Sequence, residues 1–187
     1  MENSFVMVTD APVSLNFLIY IQNLFLNQNR QELRFPYLST RIAFKEDFEL
    51  KYKELWNEVS ERISEDHQND ARAFHKEKDL FYQRLFVTDD SAFNQMYKTF
   101  GVWWNSFAGR FSIERSIGDV SEELYIELTN SLVQRRIVPK KELNISFIYD
   151  ECSLANTQVS SYFAVLSIRD FFVQSKELML KLLASID

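Results

Sequence analysis

The chain has 187 residues with 46% hydrophobic and 26% charged side chains, enough apolar material to bury a core and unlike an intrinsically disordered composition. Its formal net charge of −6 repels phosphate backbones and argues against a nonspecific DNA or RNA binder. Three Gly and three Pro are too few to punctuate an all-β sandwich or barrel, so the composition predicts long helices.

In chain order, Ser4 to Thr9 is rich in β-branched and aromatic residues and reads as a strand. Asp10 and Pro12 are placed to cap and open a helix from Val13 to about Asn27. Asn16, Gln22 and Asn23 interrupt that apolar stretch, and an acid rather than a basic region precedes it. It therefore reads as neither a signal peptide nor a membrane span, and a cytoplasmic location is expected. Pro36 disfavours helix at Phe35 and makes 34–38 a connector.

The clearest helix is predicted from about Glu46 to Ser64, where Phe48, Tyr52, Leu55, Trp56, Val59 and Ile63 recur at spacings of three and four. The opposite face is charged, with Glu49–Lys53 and Glu58–Arg62 one turn apart. A second helix is expected from about Ala71 to Phe86, forming an antiparallel hairpin with the first. Residues 46–79 carry eleven acids against six bases, so most of the net charge is local. Glu54, Glu58, Glu61, Glu65 and Asp66 are the candidate partner-binding residues of this acidic hairpin.

Between these helices, SEDHQNDARAFH holds both histidines. On a continuous helix, His67 and His75 would be separated by roughly 80° around the axis and about 12 Å along it. They cannot share one metal ion, and neither Glu-x-x-His nor His-x-x-x-His spacing occurs. Asp, Asn and Ser hydrogen-bond nearby backbone, so the run reads as a polar turn.

Residues 87–91 supply candidate N-caps for a helix carrying Phe93, Met96, Tyr97, Phe100, Trp103, Trp104 and Phe107 up to a stop at Gly109. Adjacent Trp103 and Trp104 point about 100° apart, so at most one lies at the centre of a buried face; either is a candidate ligand contact. Gly118 to Glu122 reads as a new helix start, with Leu124, Leu128 and Leu132 behind it and an end before Pro139. Arg135, Arg136, Lys140 and Lys141 concentrate positive charge at that end. The helix dipole accounts for the two arginines, and the cluster is also a candidate contact for phosphate or an acidic partner.

Leu143, Ile145, Phe147 and Tyr149 alternate with more polar neighbours and are expected to pair with 4–9 as a two-stranded ribbon. The lone Cys152 forms no intramolecular disulfide, and Asp150 and Glu151 beside it raise rather than lower a thiol pKa. The remainder, from about Ser153 to Ser185, carries Val159, Tyr162, Phe163, Leu166, Val173, Leu178 and Leu182 and is predicted helical, with a break near Gln174-Ser175.

The expected architecture is a mainly α, irregular bundle of about five to seven helices in one domain (1–187), with a minor two-stranded β element. No phosphate-binding glycine motif and no Gly-x-Ser-x-Gly elbow occurs, so nucleotide-binding and serine-hydrolase readings lose their usual anchors. No metal or cofactor is expected. The leading functional expectation is a non-enzymatic interaction or regulatory protein, an inhibitor, immunity-type or adaptor-like binder, whose partner is another protein with a basic surface. The alternatives are a helical bundle with a ligand or catalytic site assembled from distant residues, and a nucleic-acid-associated regulator using 135–141.

Overall fold

A computed structural model describes residues 5–38, 41–87, 90–157, 159–173 and 175–186. The elements are β1 (Met7–Asp10), α1 (Val13–Asn29), α2 (Phe48–Glu65), α3 (Gln68–Lys76), α4 (Lys78–Leu85), α5 (Asp90–Trp104), α6 (Arg110–Arg135), β2 (Leu143–Ile148), β3 (Val159–Ser160), β4 (Phe163–Ser167), α7 (Ile168–Val173) and α8 (Ser175–Ile186). The chain is mainly helical with a small four-stranded sheet, and it divides into two compact units.

One unit comprises Pro12–Gly109 and Cys152–Asn156. At its centre α1 is buried at every residue from Val13 to Leu24, and Leu15, Phe17, Leu18, Ile19, Ile21 and Leu26 are fully buried. A helix of this kind needs covering on all sides, and α2, α3 and α5 pack against it. Phe17 meets Phe74, Phe81 and Tyr97 edge-on at centroid distances of 5.4, 5.3 and 5.5 Å, the arrangement favoured by the quadrupoles of aromatic rings. The amides that interrupt α1 serve as loop anchors. Gln22 Oε1 accepts from the N–H groups of Ser153 and Leu154 at 2.8 and 3.0 Å, and Asn23 Nδ2 donates to the Phe35 carbonyl at 2.7 Å. Asn27 Nδ2 donates to the carbonyls of Arg34 and Pro36 at 2.7 and 2.8 Å, fixing the connector.

Three boundaries in this unit differ from those expected. The predicted Ala71–Phe86 helix is two helices separated at Glu77, whose backbone leaves helical geometry at φ −117°, ψ 30°. Helix α5 stops at Trp104, and Gly109 closes a further turn, its N–H donating to the Ser106 carbonyl at 3.2 Å. Glu49 pairs with Arg30 at 2.6 Å rather than with Lys53. In the cap expected over 87–91, residues 88 and 89 lie outside the described residues.

The other unit comprises Met1–Ala11, Arg110–Glu151 and Thr157–Asp187. Its sheet has the order β1-β2-β4-β3. The expected pairing of the first strand with 143–149 is present and parallel, running from Met7↔Leu143 to Asp10↔Ser146; Ser4 lies outside the described residues. Strand β4 joins β2 in parallel, and β3 closes the edge antiparallel to β4. These last two strands replace the helix expected at 159–167. Phe163, Ala164, Val165, Leu166 and Ser167 are all buried, and a continuously buried strand loses the period-two pattern that would betray it.

Helix α6 continues through Gly118 instead of starting there. Ile113, Ile117, Leu124, Leu128 and Leu132 form one buried stripe along it, which outweighs the cost of about 1 kcal/mol for a mid-helix glycine. The expected break near Gln174-Ser175 falls between α7 and α8, with Gln174 outside the described residues.

Candidate functional site

Of the histidine-containing stretch only Asp66 and His67 lie outside helices, so the polar turn expected over Ser64–Asp70 shrinks to the junction of α2 and α3, and its side chains cap those helices. Asp66 Oδ1 accepts from the Gln68 N–H at 2.9 Å at the start of α3, and Asn69 Nδ2 donates to the Arg62 carbonyl at the end of α2 at 2.8 Å. Asp70 reaches α1: its two carboxylate oxygens accept from the N–H groups of Val13 and Ser14 at 2.8 Å each and from the Ser14 hydroxyl. Pro12, at the cap position, makes no side-chain cap bond. The cap expected from Asp10 and Pro12 is therefore supplied by a carboxylate distant in sequence, placed where the positive end of the helix dipole favours negative charge. His75 stands edge-on to Phe74 at 4.9 Å. Among the described residues no group of three or more His, Cys, Asp or Glu side chains is arranged to hold a metal ion.

The acidic hairpin is neutralised over much of its surface. Glu54 pairs with Lys51 at 3.0 Å. Glu58 pairs with Arg84 at 2.8 Å and Arg62 at 3.9 Å, while Glu77 holds Arg62 at 2.9 Å and Arg72 at 3.1 Å. Glu61 and Glu65 are exposed, and among the described residues neither forms an ion pair. Of the five candidate acids, two are thus ion-paired and Asp66 caps a helix.

The two tryptophans separate as their angular offset requires. Trp104 is buried, stacked on Phe100 at 5.6 Å. Trp103 is half-buried, and Phe35 lies over it at 4.9 Å, with Tyr20 behind at 6.3 Å. Phe35 is 49% exposed, and its neighbours Leu33 and Tyr37 are 92% and 70% exposed. Val102, beside Trp103 on α5, is also exposed. Trp103 and Phe35 thus form a ledge on the surface of this unit, flanked along the chain by the exposed Leu33, Tyr37 and Val102. The connector had no functional reading from sequence, because nothing local to 33–37 indicates that Phe35 meets α5.

In the sheet-containing unit, Arg135, Arg136, Lys140 and Lys141 are all exposed. A second polar grouping there has no local sequence signature. Asp10 and Ser167 end the parallel strands β1 and β4, and Ser146 stands two residues before the end of β2 between them. The register puts Asp10 opposite Ser146 and Ile148 opposite Ser167, so these three residues share one face. The Ser146 hydroxyl donates to Asp10 Oδ1 at 2.8 Å, and Ser167 Oγ accepts from the Asp170 N–H at 3.0 Å. Ser146 and Ser167 are fully buried and Asp10 is half-buried, at the strand end where ligands of open α/β sheets sit.

Cys152 is half-buried with its sulfur 4.0 Å from the Tyr52 hydroxyl, and burial pushes its thiol up to about 11. That is opposite to the shift an activated nucleophile needs. No helix among the described residues is long and apolar enough to cross a membrane. No family model, curated protein or solved structure matches this chain.

Proposed function

We propose that this chain is a non-enzymatic interaction protein that docks another protein on the ledge formed by Phe35 and Trp103. The observation that carries this reading is the exposure of the ledge and its surroundings. Large apolar side chains exposed together on a folded surface mark docking sites more often than isolated ones do. Aromatic side chains are also the residues that dominate binding energy in interface centres. The acidic hairpin is the weaker docking surface, since exposed charges already engaged in local pairs contribute little to a new contact.

Leu33→Ser with Tyr37→Ser is the informative variant, because both side chains lie largely in solvent and their loss leaves the core intact. With the chain as bait against extracts of its native host, the proteins retained by the unaltered chain are expected to be lost from this variant. Retention of the same proteins by both would remove the ledge from consideration.

The strand-end grouping of Asp10, Ser146 and Ser167 favours a second reading, a small-molecule or catalytic site assembled from distant residues. A ligand that binds only the native state raises its apparent stability. A thermal-shift screen that found strong stabilisation, abolished by Asp10→Asn, would establish this second reading in place of the first.

A further inference from the structure

The segment joining α6 to β2 displays Arg135, Arg136, Lys140 and Lys141 on a chain of net charge −6. All four are exposed, and among the described residues none forms an ion pair. By contrast Arg30, Arg34, Arg62, Arg84, Arg110 and Arg169 are each engaged by a carboxylate. Two aliphatic side chains flank the cations in the open, Val133 at 57% and Val138 at 71% exposure.

The backbone that carries these side chains is braced at both ends. The Arg136 N–H donates to the Val133 carbonyl at 3.1 Å and the Ile137 N–H to the Leu132 carbonyl at 3.0 Å. This is the reversed turn that closes helices with one left-handed residue, normally glycine; here that residue is Arg136, at φ 57°. Further along, the Lys140 N–H donates to the Tyr162 hydroxyl at 2.9 Å, and that hydroxyl donates to the Ile186 carbonyl at 2.8 Å. A loop already held in place loses little freedom when a partner binds. An arginine at a position that glycine would occupy without strain keeps a charge at conformational cost, as functional segments do.

We propose that residues 133–141 dock an acidic segment of a partner protein, its carboxylates engaging Arg135, Arg136, Lys140 and Lys141 while an aliphatic side chain covers Val138. This surface belongs to the sheet-containing unit and is independent of the aromatic ledge. Guanidinium groups match carboxylates in a forked geometry. The exposed valines favour a peptide, since a phosphate backbone would leave them uncovered, and the loop has no aromatic side chain on which a base could stack. A long polyanion or a charged bilayer would also meet the acidity of the rest of the chain. A short segment confined to the loop meets four cations and one neighbouring acid, Glu142.

The test is fluorescence anisotropy on the full chain with a labelled peptide of alternating Glu and Leu, its Gln-for-Glu counterpart, and a single-stranded oligonucleotide. Sedimentation with vesicles containing phosphatidylserine completes the set. The acidic peptide is expected to bind more tightly than the other probes, with affinity falling as salt rises. Lys140→Gln with Lys141→Gln should weaken it about fivefold to tenfold, and Arg136→Gly about threefold. Because glycine relieves the left-handed backbone, Arg136→Gly is expected to melt no lower than the unaltered chain, so its lost affinity cannot be ascribed to unfolding. Equal binding of the acidic and amide peptides, undiminished affinity in both variants, or tighter binding of oligonucleotide or vesicles would each overturn the proposal.

Discussion

Gly109 and Arg136 show how much a single backbone position decides in this molecule. A Cβ added at Gly109 would lie 2.3 Å from the Trp103 carbonyl oxygen and 2.6 Å from that of Trp104. Both are backbone atoms that cannot swing aside. Gly109→Ala is therefore expected to cost about 2 kcal/mol or more, read as a lower midpoint in urea with an unchanged slope. The other two glycines, Gly101 and Gly118, meet nothing within 4 Å, and alanine there should be neutral or stabilising in a helix. Arg136 is the opposite case, a side chain where glycine fits better. Arg136→Gly is expected to stabilise the chain by about 0.5–1 kcal/mol, and a midpoint below that of the unaltered chain would contradict the strain assigned here.

Among the elements, α1 depends on a residue far away in sequence. Its first two N–H groups are held by Asp70, a residue in the first turn of α3. Asp70→Ala removes a charge-assisted cap and should cost about 1–2 kcal/mol. Asp70→Asn keeps an acceptor without the charge and should recover part of that loss. Hydrogen exchange offers the specific readout, since both variants should speed exchange at the start of α1 and leave the middle of α2 unaffected. A uniform change through both helices would mean that Asp70 acts on global stability alone. The span of α1 was legible from its apolar run, yet its cap was not, because cap signals are local to a helix start and this carboxylate comes from α3, 57 and 56 residues from the amides that it holds. The short junction of α2 and α3 at Asp66 and His67 was itself legible, since Asp66 and Asn69 bond two and seven residues from their own positions.

On the scale of the whole molecule, burial makes Cys152, Tyr20 and Tyr97 resist ionisation at high pH. Burial raises the Cys152 thiol from 9.0 to about 11 and the Tyr20 hydroxyl from 10.0 to about 12. Between pH 9 and 11 the unfolded chain loses the thiol proton while the native chain keeps it, so the unfolded state binds fewer protons and stability falls as pH rises. Tyr20 adds the same trend between pH 10 and 12. The slope is at most about 1.4 kcal/mol per pH unit for each group, and below pH 9 both contributions are fully present. Urea denaturation across pH 8 to 11 should show this decline, and Cys152→Ala should flatten its lower part. A stability that held level to pH 11 would mean that the thiol is not desolvated in the native state.

The sequence by itself determined the class of fold and the inward faces of α2 and of the second half of α6. Their signal is local: spacings of three and four in α2 select Phe48, Tyr52, Leu55, Trp56, Val59 and Ile63, all of them buried. It also identified the two segments that pair as β1 and β2, through β-branched composition and alternation. Only the tertiary structure decided the rest. The run Phe163–Ser167 is buried throughout, which erases the alternation that separates a strand from a helix, so its pairing with β2 settled its form. Which tryptophan faces solvent was settled by the meeting of Phe35 with α5, and the neutralisation of Glu58 by Arg84 reaching across from α4. Local periodicity records which side of an element is apolar, whereas its neighbours in space are chosen by packing between segments distant in the chain.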